Sequence, residues 1–326
     1  WFLLARMYLN AQTWINENKY QEAYAYAVKV IADGHYPLAS DYREIFLADN
    51  NTCKEIIWPL VQDGLRAQSS AGTNFYVKAF VNGPMDELYK TGVGSRGWGN
   101  VRAKVSLVDA FDADDVMFDG NDTWGNNKKD KRAQFMTALP NQVKDTWDVN
   151  MDMTSTFTCG YGYIKWRNVT KEDELCPSGD AYTSIDFPLF RTADAYLMAA
   201  EAILRGANGT QSEALGYVNE VRTRAYMSGK YAKNGVRSDV SGEITANELN
   251  LDFLLVERQK ELASELTRRT DLIRFGKYTK GNNWDWKNGV RLGADVDDKY
   301  NLFPIPESEL TNNPTLVQND GYKVIK

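Results

Sequence analysis

The chain spells out one helical pair twice, about 190 residues apart, and few architectures accommodate such a pattern. In the first copy Leu3, Leu4, Met7, Tyr8 and Ala11 recur at helical spacing, which predicts an amphipathic helix over about residues 1–17. The run "NKYQEAYAYAVKVIADG" predicts a second helix, with Tyr20, Ala23, Ala27 and Ile31 as its inner stripe and a stop at Asp33-Gly34. The later copy, "ADAYLMAAEAILRGANGTQSEALGYVNEVRTRAY", repeats this grammar: Tyr8-Leu9 answers to Tyr196-Leu197, and Glu22-Ala23 to Glu213-Ala214. Its turn is longer, the extra residues lying in "GANGT".

Small alanines let two helices approach, and aromatics fill the groove between them; the pairs are tetratricopeptide-like αα-hairpins. Copies so far apart do not make a continuous solenoid. They predict a mainly α, helical-hairpin scaffold interrupted by one large insertion. That insertion, about residues 50–190, is rich in Gly, Asn, Asp and Trp. Within it "NFYVKAFV" and "EIIWPLV" read as strands or short helices, and "KTGVGSRGWGN" and "DGNDTWGNNKKDKR" as loops. Helical grammar resumes near residue 245, where Thr245 caps "TANELNLDFLLVERQKELASEL" with Glu248 as its capping-box partner. A shorter helix around "RTDLIRFGK" ends near Gly276. The tail "NLFPIPESELTNNPTLVQNDGY" is predicted to run extended, because its prolines disfavour regular structure.

Composition narrows the function classes. The 326 residues are 43% hydrophobic and 25% charged, enough to bury a real core. A net charge of −6 without a Lys/Arg run argues against a nucleic-acid groove. Nine Trp and 18 Tyr exceed what a core of this size needs, so some rings are expected at the surface as a binding site. Cys53, Cys159 and Cys176 form neither a disulfide framework nor a CxxC knuckle. His35, the single histidine, excludes a His-rich zinc site and leaves a Ser-His-Asp mechanism one candidate base; in "ADGHYPL" it reads as a loop residue. No apolar stretch approaches the ~20 residues that span a bilayer. The chain opens in helical rhythm without an initiator Met or signal peptide, as an element entered part-way through a larger protein would. The acidic stretches "DAFDADD" (Asp109 to Asp115) and "GADVDDKY" raise a structural calcium. They lack EF-hand spacing and read better as solvated loops. Four N-x-T sequons, at Asn50, Asn121, Asn168 and Asn208, read as features of an Asn-rich surface.

The densest charge pattern is "ERQKELASELTRRTDLIR", Glu257 to Arg274. With it stand "FRTADAYLMAAEA" (Phe190 to Ala202), "VNEVRTRA" (Val218 to Ala225) and "LFPIPESEL…NP…QNDGY" (Leu302 to Tyr322). Together with the opening "LLARMYLNA" and "EIIWPL", these segments resemble the SusD/RagB family of glycan-binding lipoproteins from Bacteroidetes, and in that family's order. "RRTDLIRFGK" followed by "NNWDWKNG" looks like the starch-binding branch. The chain departs from the family in having Leu266 where Gly is frequent, and Arg269 and Thr270 where aromatics are common.

The resemblance implies a single SusD-like domain over 1–326 lacking its N-terminal part, lipid-bearing cysteine included. Its parts would be a hairpin at 1–49, a glycan-binding insertion at 50–190, and a C-terminal helical region and tail at 191–326. It implies a non-catalytic outer-membrane surface protein that passes oligosaccharide to a SusC-like TonB-dependent transporter. Carboxylate–guanidinium pairing then explains the charge run as a clamp: Arg191, Arg222, Arg258, Arg268 and Arg274 against Glu201, Glu257, Glu261, Glu265 and Asp271.

A sugar site needs flat aromatic faces flanked by amides, carboxylates or arginine. Trp98 in "RGWGN" has glycines on both sides and Arg96 and Asn100 nearby. Phe75 and Tyr76 in "GTNFYVK" follow Asn74, and Trp124 lies in "DTWGNN". The starch-binding resemblance transfers aromatic platform roles to Tyr76 and Trp98. Two other functions stand beside this one. A glycoside hydrolase would need paired carboxylates roughly 5–10 Å apart, and no such pair is singled out. A tetratricopeptide-like adaptor would place its ligand residues on the helices and leave the Trp-bearing loops unexplained.

Overall fold

The first predicted helix divides at Asn10. The computed structural model describes residues 1–66, 68–81, 90–116, 128–136, 160–227, 240–281, 284, 290 and 293–323. In it α1 (Phe2–Leu9) and α2 (Ala11–Ile15) share the predicted span. Asn10 is buried, and its side-chain amide donates to the Arg6 carbonyl at 2.8 Å, taking a helical acceptor at the break. The inward face also differs from the expected stripe. Phe2, Ala5 and Leu9 are buried, whereas Leu3, Leu4 and Met7 lie open. Close approach to α3 (Tyr20–Ala32) selects the face that carries Ala5, and size outweighs hydrophobicity there. On α3 itself the buried positions are Tyr20, Ala23, Ala27 and Val30; Ile31 is only half-buried.

Among the described residues the insertion holds three short α-helices, α4 (Thr73–Lys78), α5 (Val105–Val108) and α6 (Ala113–Val116). Strand β1 (Ile56–Leu60) pairs antiparallel with β4 (Phe187–Arg191), and β2 (Phe135–Met136) with β3 (Gly162–Tyr163). Since β1 opens the insertion and β4 closes it, their pairing fastens its two ends together. The insertion is more than loops. Its Val77, Phe111, Phe135, Tyr163, Trp166 and Phe187 build a core together with Tyr42 and Phe46 from the segment just before it.

The second pair is α7 (Thr192–Leu204) and α8 (Gln211–Met227). One face of α7, with Ala195, Met198, Ala199 and Ala202, joins the core of the first pair. The opposite face, with Ala193, Leu197, Ala200 and Ile203, meets Ala214, Val218 and Val221 of α8. The two copies are therefore neighbours in space, as stacked hairpins are. Gly206 ends α7 at φ +105°, and the Ala207 N–H reaches back to the Ala202 carbonyl at 3.0 Å. This is a Schellman stop that a Cβ would strain.

Helix α9 (Leu251–Leu262) begins later than predicted. Glu248 does accept from the Thr245 N–H (2.8 Å) and hydroxyl (2.7 Å), but the pair closes a turn ahead of the helix. The cap is Asn250, whose side chain accepts from the Phe253 N–H. After Leu262 the chain leaves the helix through Ser264 and Leu266, both at φ near +60°. Leu266 is 74% exposed, so no packing offsets its left-handed backbone. The order of stability Gly > Leu > Val at position 266 is expected, spanning about 2 kcal/mol. Urea melts of Leu266→Gly and Leu266→Val check it, and the reverse order would contradict it.

Residues Trp1–Leu266 form one compact unit and Thr267–Lys326 a second. The second contains α10 (Arg268–Arg274), closed at Gly276 (φ +67°), and α11 (Glu307–Asn312). The tail is thus less extended than its prolines predict, because Pro306 serves as the N-cap of α11. Among the described residues no helix is long and apolar enough to cross a membrane.

Candidate functional site

The charge run folds into a sealed cluster. Glu261 accepts from Arg191 Nη1 (2.6 Å), Arg132 Nη1 (3.1 Å) and Arg224. Glu265 takes Arg191 Nε at 2.6 Å and Lys165 Nζ at 2.5 Å, and Glu257 takes Arg132 and Arg222, each at 2.6 Å. Glu55 bridges Arg191 (2.9 Å) and Arg224 (2.6 Å). Arg258 and Arg6 both hold Asp194 at 2.8 Å, and Glu201 pairs with Arg205 at 2.7 Å. Of the expected arginines, Arg191, Arg222 and Arg258 therefore join this clamp. Arg274 pairs with Asp271 (2.8 Å) inside the second unit. Arg132, Lys165, Arg224, Glu55 and Asp194 are members the sequence did not disclose.

Burial alone would raise the pKa of these acids. For Glu261, Arg224, Arg191 and Arg132 outweigh it and hold the carboxyl well below its ordinary range. For Asp194, Arg258 and Arg6 bring it down to about 2. Acids that stay ionised and shut away from water cannot supply the proton a glycosidic leaving group needs. The cluster joins the insertion to the second hairpin and to α9.

The aromatic residues are arranged differently. Backbone N–H groups of Trp98, Gly99 and Asn100 donate to the carbonyls of Lys78, Val81 and Ala79, each at 2.8 Å. The Gly-Trp-Gly loop is thereby zipped onto the end of α4, where helix carbonyls would otherwise go unpaired. This brings Trp98 to Phe75, with ring centroids 6.1 Å apart and planes tilted by 59°. Phe75 is 42% and Trp98 36% exposed. Two large rings thus stand open, side by side, one on α4 and one on the loop braced against it.

The other predicted site residues divide. Tyr76 is half-buried and stacks on Trp166 (5.4 Å) and Phe187 (5.8 Å), so it roots Phe75 and is not itself an open platform. Burial raises its phenol pKa. Asn74 is buried and donates to the Ser69 carbonyl at 3.0 Å. Arg96 and Asn100 are exposed beside Trp98, and Arg96 Nε donates to Asp180 Oδ1 at 3.0 Å. Trp124 lies outside the described residues, as does Cys159. Asp180, brought to this surface across the 84 residues that separate it from Arg96, and Tyr182 beside it carry no local signal that would have marked them. Lys78 is buried and donates to the Ala181 carbonyl while its ammonium faces the Tyr182 ring at 5.9 Å.

The remaining candidates recede. His35 is exposed and contacts Asp33 at 3.1 Å. Burial pushes the Cys53 thiol up to about 12, which leaves it protonated and unreactive near neutrality. Asp115 is buried, contrary to the solvated loop expected, because its carboxylate accepts the N–H groups of Lys129 (2.7 Å) and Asp130 (3.0 Å). Among the described residues no group of three or more His, Cys, Asp or Glu side chains is placed to hold a metal. A cavity of about 340 Å³ lies elsewhere, lined by Leu38, Glu44, Cys53, Lys54 and Lys171 among others.

Residues 54–322 match the profile of the SusD family. The chain is 33% identical to the starch-binding protein SusD of Bacteroides thetaiotaomicron, over 99% of this chain and 60% of that protein. It therefore spans about three fifths of that relative's length. A SusD superfamily protein from Bacteroides fragilis superposes with a TM-score of 0.65 at 19% identity, covering 99% of this chain and 64% of that one. Surface glycan-binding protein A from Bacteroides thetaiotaomicron, solved with laminarihexaose, gives a TM-score of 0.62 at 22% identity, covering 97% and 62%. At such identities the two structures show a shared fold.

Proposed function

Because the chain belongs to the SusD family, we propose that it is a non-catalytic glycan-binding protein that holds oligosaccharide on Phe75 and Trp98. The observation that carries this reading is the open, tilted ring pair that α4 and its braced loop display. Tilted rings suit a chain whose successive sugars turn, and each presents an apolar face to the C–H groups of one pyranose. A starch-like α-glucan is the substrate of choice, because the 33% identical relative is named a starch-binding protein. The protein works at the outer-membrane surface and delivers its glycan to a SusC-like TonB-dependent transporter, as the family membership suggests. The clamp acids speak against hydrolysis, since each is tied to guanidinium or ammonium groups.

The test is affinity electrophoresis of the chain in gels cast with amylopectin, laminarin or polygalacturonate, alongside a reducing-sugar assay on the same glycans. Retardation by amylopectin with no release of reducing ends is expected. Steady release would favour a hydrolase, and free migration in every gel would remove the glycan reading.

A further inference from the structure

We propose that Asp180 and Arg96 act as one hydrogen-bonding reader beside the ring pair, selecting an uncharged pyranose with two adjacent hydroxyls on its edge. The proposal rests on the reading of Phe75 and Trp98 as the sugar platform and names what that platform accepts.

The ion pair itself contributes little to stability, since Arg96 is 57% and Asp180 37% exposed. The backbone is nevertheless built around it. Gly94 sits at φ +53°, and a Cβ there would come within 2.7 Å of Asp180 Oδ2. The turn carrying Asp180 is held from several sides. Ser178 Oγ donates to the Tyr182 carbonyl (2.5 Å), Asn168 Nδ2 to the Gly179 carbonyl (2.9 Å), and Thr73 and Thr183 share a hydrogen bond of 2.9 Å. Lys78 adds its ammonium to the Ala181 carbonyl, although burial lowers its pKa and so works against the charge. A chain that buries a cation to steady an exposed turn is fixing the position of what the turn displays.

The reader and the platform share a frame. The Lys78 that fixes Ala181 through its ammonium also accepts the Trp98 N–H with its carbonyl. Arg96 and Trp98 flank Gly97 in the same short loop, so the stretch that is zipped onto α4 also carries the guanidinium. Arg96 uses only Nε on Asp180, and among the described residues no hydrogen bond engages its Nη1 or Nη2. The surface thus offers two guanidinium donors and a carboxylate acceptor. A vicinal diol complements this set, because each hydroxyl both accepts and donates. The two charges cancel, so a uronate gains no net attraction and meets the Asp180 carboxylate.

Calorimetry with maltoheptaose, and gel retardation by polygalacturonate, test the reader on the parent chain and on Asp180→Asn, Arg96→Lys and Trp98→Ala. Asp180→Asn and Arg96→Lys are each expected to weaken maltoheptaose about tenfold with unchanged melting. Asp180→Asn is expected to gain retardation by polygalacturonate, a result that a purely structural role would not produce. If both variants bind maltoheptaose as the parent does while Trp98→Ala loses it, the reader is wrong and the platform stands. If Trp98→Ala also binds as the parent does, or the parent ignores maltoheptaose, the platform reading falls and takes the reader with it. Should Asp180→Asn fail to fold, Arg96→Lys decides, because its exposed position keeps charge and fold but loses the planar fork.

Discussion

Glu261→Gln is expected to lower unfolding free energy by 3–5 kcal/mol, about what removing one partner of a buried ion pair costs. The carboxylate is fully buried and takes hydrogen bonds from Arg132, Arg191 and Arg224. Glutamine preserves the shape but removes the charge and turns one acceptor into a donor facing guanidinium groups. Each arginine keeps another acid: Asp130 and Glu257 for Arg132, Glu55 and Glu265 for Arg191, and Glu55 for Arg224. One positive charge is then left uncompensated in a site water does not enter. Against a typical total of about 5–15 kcal/mol this is a large fraction. Urea titration should show the midpoint falling with its slope unchanged. A loss under about 1 kcal/mol would mean that the cluster is less sealed than its burial indicates.

The membership of the cluster explains why the loss should be large and also why much of it was hidden. Arg132 and Lys165 come from the insertion, Glu55 from the turn just before its entry strand, and Arg191 from its exit strand. The cluster is therefore the bolt between the insertion and the helices. The helical members were legible because spacings of three and four put them on one face of an amphipathic run. Arg132 and Lys165 sit among loop residues with no period, so only tertiary structure reveals where they point. The first helix shows a different failure. Leu3, Leu4 and Met7 outweigh Ala5 in any hydrophobic tally, yet a close helix approach rewards the small residue.

At the candidate site the flanking glycines marked Trp98 correctly as a displayed ring. Phe75 and Tyr76 are adjacent on one helix, where neighbours diverge by about 100°. The sequence gives no means of choosing between them. Trp166 and Phe187 make the choice, by offering Tyr76 a stack and leaving Phe75 outside. Asp180 was invisible, because its closeness to Arg96 spans 84 residues.

Trp98→Ala is expected to weaken glycan binding by about 2 kcal/mol, roughly 30-fold, the size of a central aromatic anchor. Phe75→Ala should cost about half as much, because a phenyl offers a smaller face than an indole. Thermal melts should stay within a few degrees for both, since neither ring fills the core. Tyr76→Ala provides the contrast. It removes the ring between Phe75 and the Trp166–Phe187 stack, and should cost about 3 kcal/mol of stability by leaving a cavity. Its binding defect should follow from a displaced Phe75, so Tyr76→Phe should restore both stability and affinity. The three residues therefore separate display from support: losing a displayed ring weakens binding alone, and losing the supporting ring weakens both. Equal melting losses for Trp98→Ala and Tyr76→Ala would show instead that the indole is a structural anchor whose exposed edge has no partner to meet.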